Sequence, residues 1–110
     1  MKKQNQNGMS EHLLQIQCIA EFRNQIERHK KGVIIPVPNE LARKRKDMIV
    51  KDGCSDLIVF LPDAVLFCEL KVGYNTQQPN QIEFESLVTS LGYKYHLIKS
   101  LVQFKAVIGL

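Results

Sequence analysis

No apolar run in this chain approaches the roughly 18 residues that a membrane span needs. Its basic start, MKKQNQNGMS, is followed by none of the apolar stretch of a secretory leader. Cysteine is sparse: Cys18, Cys54 and Cys68 are far apart and each lies in or beside an apolar run. That spacing excludes both a disulfide framework and a CxxC zinc site, and it predicts reduced thiols used as small core fillers. These absences lead us to expect a soluble, intracellular protein. Acids are scarce between residues 28 and 51, where Glu40 and Asp47 stand against Arg28, Lys30, Lys31, Arg43, Lys44, Arg45, Lys46 and Lys51. An anionic partner is one reading of that imbalance and a solvated face is the other. No internal repeat is present, and residues 1–9 are polar and of low complexity, which predicts a disordered tail.

What remains is 110 residues, 45% of them hydrophobic, enough for a single domain over residues 10–110 with one modest core. Ser10 is a suitable N-cap for a helix reaching about His29, because Leu14, Cys18, Ile19, Phe22 and Ile26 recur at helical spacing. Val33 to Val37 is a short β-branched run interrupted by Pro36, which places it at a sheet edge. The stretch ELARKRKDMIVKDG suggests a short basic helix. Two strands follow, at about 56–61 and 65–72, with apolar residues of both parities, so a central position with both faces covered is expected. Pro79 opens a helix running to about Leu91, with Gly92 placed for a left-handed cap. Residues 93–98 read as a strand, and Ser100 caps a last helix over 101–108 unless that end forms an edge strand. The predicted class is α/β, a mixed sheet flanked by helices in the order αβ(α)ββαβα.

The chemistry lies in GCSDLIVFLPDAVLFCELK. If Pro62 and Asp63 are the two central residues of a turn, strand partners are those whose numbers sum to 125, and Asp56 faces Glu69 directly. Unneutralised carboxylates at that separation repel. Lys71 points to the same face one pleat further on. The modest interpretation is that Lys71 neutralises Glu69 and Asp56 starts a strand. The functional one is that two buried carboxylates need a divalent cation, which with oxygen-only donors means Mg²⁺ or Mn²⁺ and not zinc. Such an ion polarises a phosphoryl oxygen, while the Lys71 ammonium orients water or offsets transition-state charge. Phosphodiester hydrolysis uses that combination. Glu11 ends the buried stripe of the first helix, with Glu21 as its rival for the acid that reaches this cluster. Gln81 faces inward in the first turn of the second helix, where a phosphate would be welcome.

SEHLLQ, PNE, GCSDL, ELKVG, NQIEF and LGYKY occur in the order and rough spacing of the VRR-NUC domain, a branch of the PD-(D/E)XK nuclease superfamily. The resemblance spans about residues 10–105 and rests on all six motifs in order. It implies a PD-(D/E)XK restriction-endonuclease-like core and a metal-dependent DNA nuclease of the cytoplasm, in a bacterium or a phage-infected cell. Glu11 then resembles the family's helix-one acid, Asp56 and Glu69 its Mg²⁺ or Mn²⁺ ligands with the Leu70 main-chain carbonyl as a third, Lys71 its catalytic lysine and Gln81 its following glutamine. Ser55 stands where the superfamily has proline. Asn39, Arg43, Lys44, Arg45 and Lys46 are the expected DNA contacts. Small nucleases of that superfamily commonly work as homodimers on branched DNA such as four-way junctions, and the N-terminal helix with the edge at Val33 to Val37 offers a surface for a second subunit. A monomeric nicking or flap nuclease, and a catalytically idle DNA-binding module of the same fold, are the alternatives.

Overall fold

The structure, a computed structural model, describes residues 10–38 and 53–110. The suggested basic helix, and with it Asn39, Arg43, Lys44, Arg45 and Lys46, lies outside the described residues, as does the N-terminal tail. The elements are α1 (Glu11–Gln25), β1 (Val33–Pro36), β2 (Leu57–Leu61), β3 (Ala64–Leu70), α2 (Pro79–Ser90), β4 (Lys94–Ile98) and α3 (Leu101–Val107). The four strands form one sheet in the order β1-β2-β3-β4. β1 and β2 pair antiparallel, as do β2 and β3, whereas β4 lies parallel to β3. A parallel neighbour requires a crossover, and α2 supplies it. No helix among the described residues is long and apolar enough to cross a membrane.

Capping explains where the helices begin. The Ser10 hydroxyl accepts from the Leu13 N–H at 3.0 Å and the Ser100 hydroxyl from Gln103 N–H at 3.2 Å, so each satisfies a donor that the first turn leaves free. Residues 101–107 are therefore helical, and the edge-strand alternative for this end is not taken up. The first helix stops at Gln25, earlier than the apolar spacing predicts. Its C-cap, Ile26, has φ −124° and is followed by one 3₁₀ turn, Glu27–His29, closed by Lys30 in the left-handed region at φ 60°. The reversal lets Gly32 pass close to the sheet: a Cβ there would come within 2.7 Å of the Phe60 carbonyl oxygen. Ile26 still reaches the core from beyond the helix.

The hairpin has the expected two-residue turn. Leu61 opposes Ala64 and Leu57 opposes Cys68, the register that brings position 56 opposite position 69. Both strands are internal, as expected, with β1 at one edge and β4 at the other. Alternation then separates two faces. On one, Leu57, Val59, Leu66, Cys68 and Leu70 pack with Leu14, Cys18 and Phe22 of α1 and Phe104 of α3. On the other, α2 covers the β3–β4 half through edge-on ring contacts of Phe84 with Phe67 at 5.6 Å and with Tyr95 at 6.4 Å. Among the described residues, coverage of that second face does not extend to β2. Phe60 is 41% exposed beside Val33 at 45% and Ile35 at 44%, which corrects the expectation of a pair buried on both sides. The cause is placement: α2 connects β3 to β4 and so lies over them.

Candidate active site

The end of the hairpin away from its turn carries the polar groups. Asp56 immediately precedes β2, and its main-chain carbonyl accepts from Val37 N–H at 2.9 Å and from Gln15 Nε2 at 3.3 Å. Its carboxylate crosses to the neighbouring strand, where Oδ2 accepts from Leu70 N–H at 2.7 Å. Buried Ser55 donates to the Leu57 carbonyl at 3.1 Å and so shapes the approach to Asp56. Gly53, at φ 81°, lies against the main chain of Asn80, leaving no room for a Cβ. This contact fastens the start of β2 to the first turn of α2, so that Asp56 and Gln81 are brought to one place.

Glu69 is 1% exposed, and its two oxygens have different partners. Oε1 accepts from the Tyr95 hydroxyl at 3.0 Å, and Oε2 accepts from Gln81 Nε2 at 2.6 Å. Gln81 is oriented by its other end, because Gln81 Oε1 accepts from Gln78 N–H at 2.8 Å in half of a capping box. Its amide is therefore engaged within the protein, beyond the phosphate-facing position suggested by the sequence. Lys71 is 6% exposed and places Nζ 3.8 Å from Glu69 Oε2, while its main-chain N–H continues the sheet to Ile98 at 3.0 Å.

The acids reinforce one another electrostatically. Burial above all, then the negative charges of Asp56 and Glu11, push the Glu69 carboxyl up to about 7, against the lowering effects of Tyr95 and Lys71. Glu11 thus belongs to the field of the cluster. Its Oε2 accepts from Asn75 Nδ2 at 2.9 Å, which ties the loop after β3 to the start of α1. Glu21 lies elsewhere, pairing with Lys105 of α3 at 3.6 Å.

Among the described residues no group of three or more His, Cys, Asp or Glu side chains is arranged to hold a metal ion. The donors that do converge, Asp56 and Glu69, are hard oxygens. Their mutual repulsion, increased by Glu11 and offset among the described residues by Tyr95 and Lys71, is the environment that a small divalent cation relieves. Hard oxygen donors of this kind fit a small divalent cation.

Three residues of this constellation escaped the sequence reading. Gln77 Nε2 donates to the Tyr95 oxygen at 3.2 Å and to Glu85 Oε1 at 3.0 Å, and Tyr95 in turn holds Glu69. The motif LGYKY includes Tyr95, but only the parallel pairing of Phe67 with Tyr95 brings that residue diagonally beside Glu69.

No protein-family profile matches the chain, and no curated protein matches it. Solved structures do. One, described as a VRR_NUC domain protein, is 24% identical with a TM-score of 0.70 and aligns over 93% of this chain and 87% of its own. Another, described as a VRR_NUC domain, is 21% identical with a TM-score of 0.65 over 90% of this chain and 94% of its own. The chain has the α+β fold of VRR_NUC domains, and at the level of fold the resemblance carried by the six motifs is borne out.

Proposed function

We propose that this protein is a metal-dependent DNA endonuclease that hydrolyses phosphodiester bonds. The observation carrying this reading is the convergence of Asp56, Glu69, Lys71 and Gln81 at one end of a VRR_NUC-type fold, with Glu69 buried among like charges. A domain that only binds DNA gains nothing from buried acids that repel phosphate. Asp56 and Glu69, with the Leu70 carbonyl, would hold Mg²⁺ or Mn²⁺, which when bound supplies Lewis-acid polarisation of the phosphoryl group and a more acidic water.

The chain's own residues do the remainder. Lys71, fixed against Glu69, presents a point charge beside the acids, where it orients the attacking water and offsets charge that develops on the phosphate oxygens. Gln81 and Tyr95 hold the Glu69 carboxylate from opposite sides. Glu11 adds negative charge at the cation site and, through Asn75, steadies the loop that follows Lys71. Asn39, Arg43, Lys44, Arg45 and Lys46 are the proposed phosphate contacts.

Selectivity for branched DNA and a homodimeric state complete the proposal. A symmetric junction presents paired scissile bonds, so two sites related by a two-fold axis match it. β1, an edge strand with Val33 and Ile35 half exposed, supports an interface there. The deciding experiment incubates the protein with supercoiled plasmid and with a synthetic four-way junction in Mg²⁺, Mn²⁺ or EDTA, beside the Lys71→Ala variant. Cleavage that needs the ion and Lys71, with paired cuts at the junction, supports the reading. Binding without cleavage in either metal overturns it, and cleavage of one strand by a species sedimenting near 12.6 kDa replaces it with a monomeric nicking enzyme.

A further inference from the structure

We infer that Tyr95 is a positioning residue that restricts Glu69 to one ligating oxygen and thereby favours Mg²⁺ over Ca²⁺. The inference rests on the nuclease reading, since it concerns the same cation site.

A carboxylate can bind a cation through one oxygen or both. In Glu69 the choice is constrained by its neighbours. Oε1 accepts from the Tyr95 hydroxyl at 3.0 Å, whereas Oε2 accepts from Gln81 Nε2 at 2.6 Å with Lys71 Nζ 3.8 Å away and keeps a second lone pair for a cation. The Tyr95 ring is itself held: Phe84 packs edge-on against it at 6.4 Å, and Gln77 donates to its oxygen at 3.2 Å while anchored to Glu85. A phenol that accepts from Gln77 has its one hydrogen directed at Glu69, so the donor–acceptor sense of the chain is set. Both Tyr95 and Glu69 lie on internal pairs of the same parallel ladder, a rigid mounting for the contact.

The chemical consequence follows from ion size. Mg²⁺ demands near-ideal octahedral geometry and takes single oxygens from one or two carboxylates, keeping several waters. Ca²⁺ accepts six to eight oxygens and readily takes a carboxylate by both. With Oε1 committed to Tyr95, Glu69 offers the arrangement that Mg²⁺ prefers and withholds the one that Ca²⁺ exploits. Without the phenol, Oε1 is free to swing onto a cation.

The test is calorimetric titration of Mg²⁺ and, separately, Ca²⁺ into EDTA-stripped wild type, Tyr95→Phe and Gln77→Ala at one fixed pH. Groups that orient a metal ligand commonly change affinity by 10–100-fold when removed. Tyr95→Phe is expected to weaken Mg²⁺ binding by about tenfold, with Ca²⁺ binding held or strengthened, so that the ratio of the two affinities shifts toward Ca²⁺. Gln77→Ala should shift the ratio in the same direction by less, and it serves alone if Tyr95→Phe does not fold. Equal loss for both ions means a merely structural role and overturns the inference, as does an unchanged ratio. Wild type that binds neither ion removes the cation site and with it the nuclease reading, an outcome distinct from a variant that binds both as wild type does.

Discussion

The two faces of the sheet share the same strands yet act as different media. Under α1 and α3, alternate residues of β2 and β3 meet Leu14, Cys18, Phe22 and Phe104 in a core without charge. One residue along, β3 turns Glu69 toward Gln81 of α2, with Lys71 just beyond the strand beside it, and both are buried almost as completely. Apolar burial is favourable by roughly 25 cal/mol per Å². Burial of a carboxylate is costly unless it is neutralised, and among the described residues three acids share the buried Lys71. One face is therefore apolar throughout, while the other combines the aromatic packing of Phe84 on Phe67 with a patch of unfavourable electrostatics at Glu69.

The largest effect should come from damage to the dry face. Phe22 is fully buried, and Phe22→Ala is expected to cost about 3–5 kcal/mol in urea unfolding through transfer and cavity terms. Its remaining folded fraction should keep wild-type cleavage per molecule. Loss of specific activity in the folded fraction would show that the two faces are coupled.

Lys71→Ala should do the opposite. Removing one charged donor at a reaction centre commonly lowers kcat by about 10²–10³-fold. DNA affinity should hardly move, because a single phosphate-facing charge is a small part of an interface made from many. Gel-shift and single-turnover assays on one substrate separate the two, and a parallel fall in affinity would place Lys71 among the binding groups instead.

How much of this difference was legible in the sequence depended on whether local rules sufficed. The hairpin register was, since a two-residue turn at Pro62 and Asp63 determines every pair up to Asp56 and Glu69. So was the α1 stripe, through its helical spacing. The partner of Glu69 Oε1 was not, because Tyr95 is 26 residues away and reaches it only through a parallel strand placement that no local pattern encodes. Nor was the half-open face at Phe60: apolar residues of both parities imply burial on both sides, but which strands α2 covers is a matter of topology. The α1 end failed for a related reason, since Ile26 keeps the helical spacing while its backbone has already left the helix.

A third test reads the stored electrostatics directly. In metal-free protein the Glu69 carboxyl is raised from 4.5 to about 7, so its folded form holds a proton more tightly than the unfolded chain does. Its contribution to stability is complete below about pH 4.5 and is lost as pH rises through about 7, an effect of at most ~3 kcal/mol. Urea unfolding in EDTA should show wild type losing stability relative to Glu69→Gln between pH 5 and pH 8. Taking the difference between the two proteins removes His96, whose lowered value gives the opposite slope. Saturating Mg²⁺ should restore wild type at pH 8 and leave the variant unchanged. A wild-type-minus-variant difference that is flat with pH would mean that Glu69 titrates as an ordinary surface acid.

The smallest expected effect uses the cysteines as reporters of the two faces. Burial pushes the Cys18 and Cys68 thiols up to about 12, and both sit in the dry core, so neither should react with iodoacetamide before the chain unfolds. Cys54 differs because it is only partly buried and lies beside the acids. Burial is again the first cause of its raised value, Ser55 opposes the shift, and the charges of Asp56 and Glu69 add to it. A divalent cation between those carboxylates cancels the last contribution. The thiolate fraction then increases, and native-state labelling of Cys54 should quicken by a few-fold when Mg²⁺ is added, while Cys18 and Cys68 stay unlabelled. The acceleration should vanish in Glu69→Gln if the cation acts through that acid. Labelling of Cys54 that is indifferent to Mg²⁺ would place the ion away from Asp56 and Glu69, and labelling of all three at one rate would show that the dry face opens as freely as the charged one.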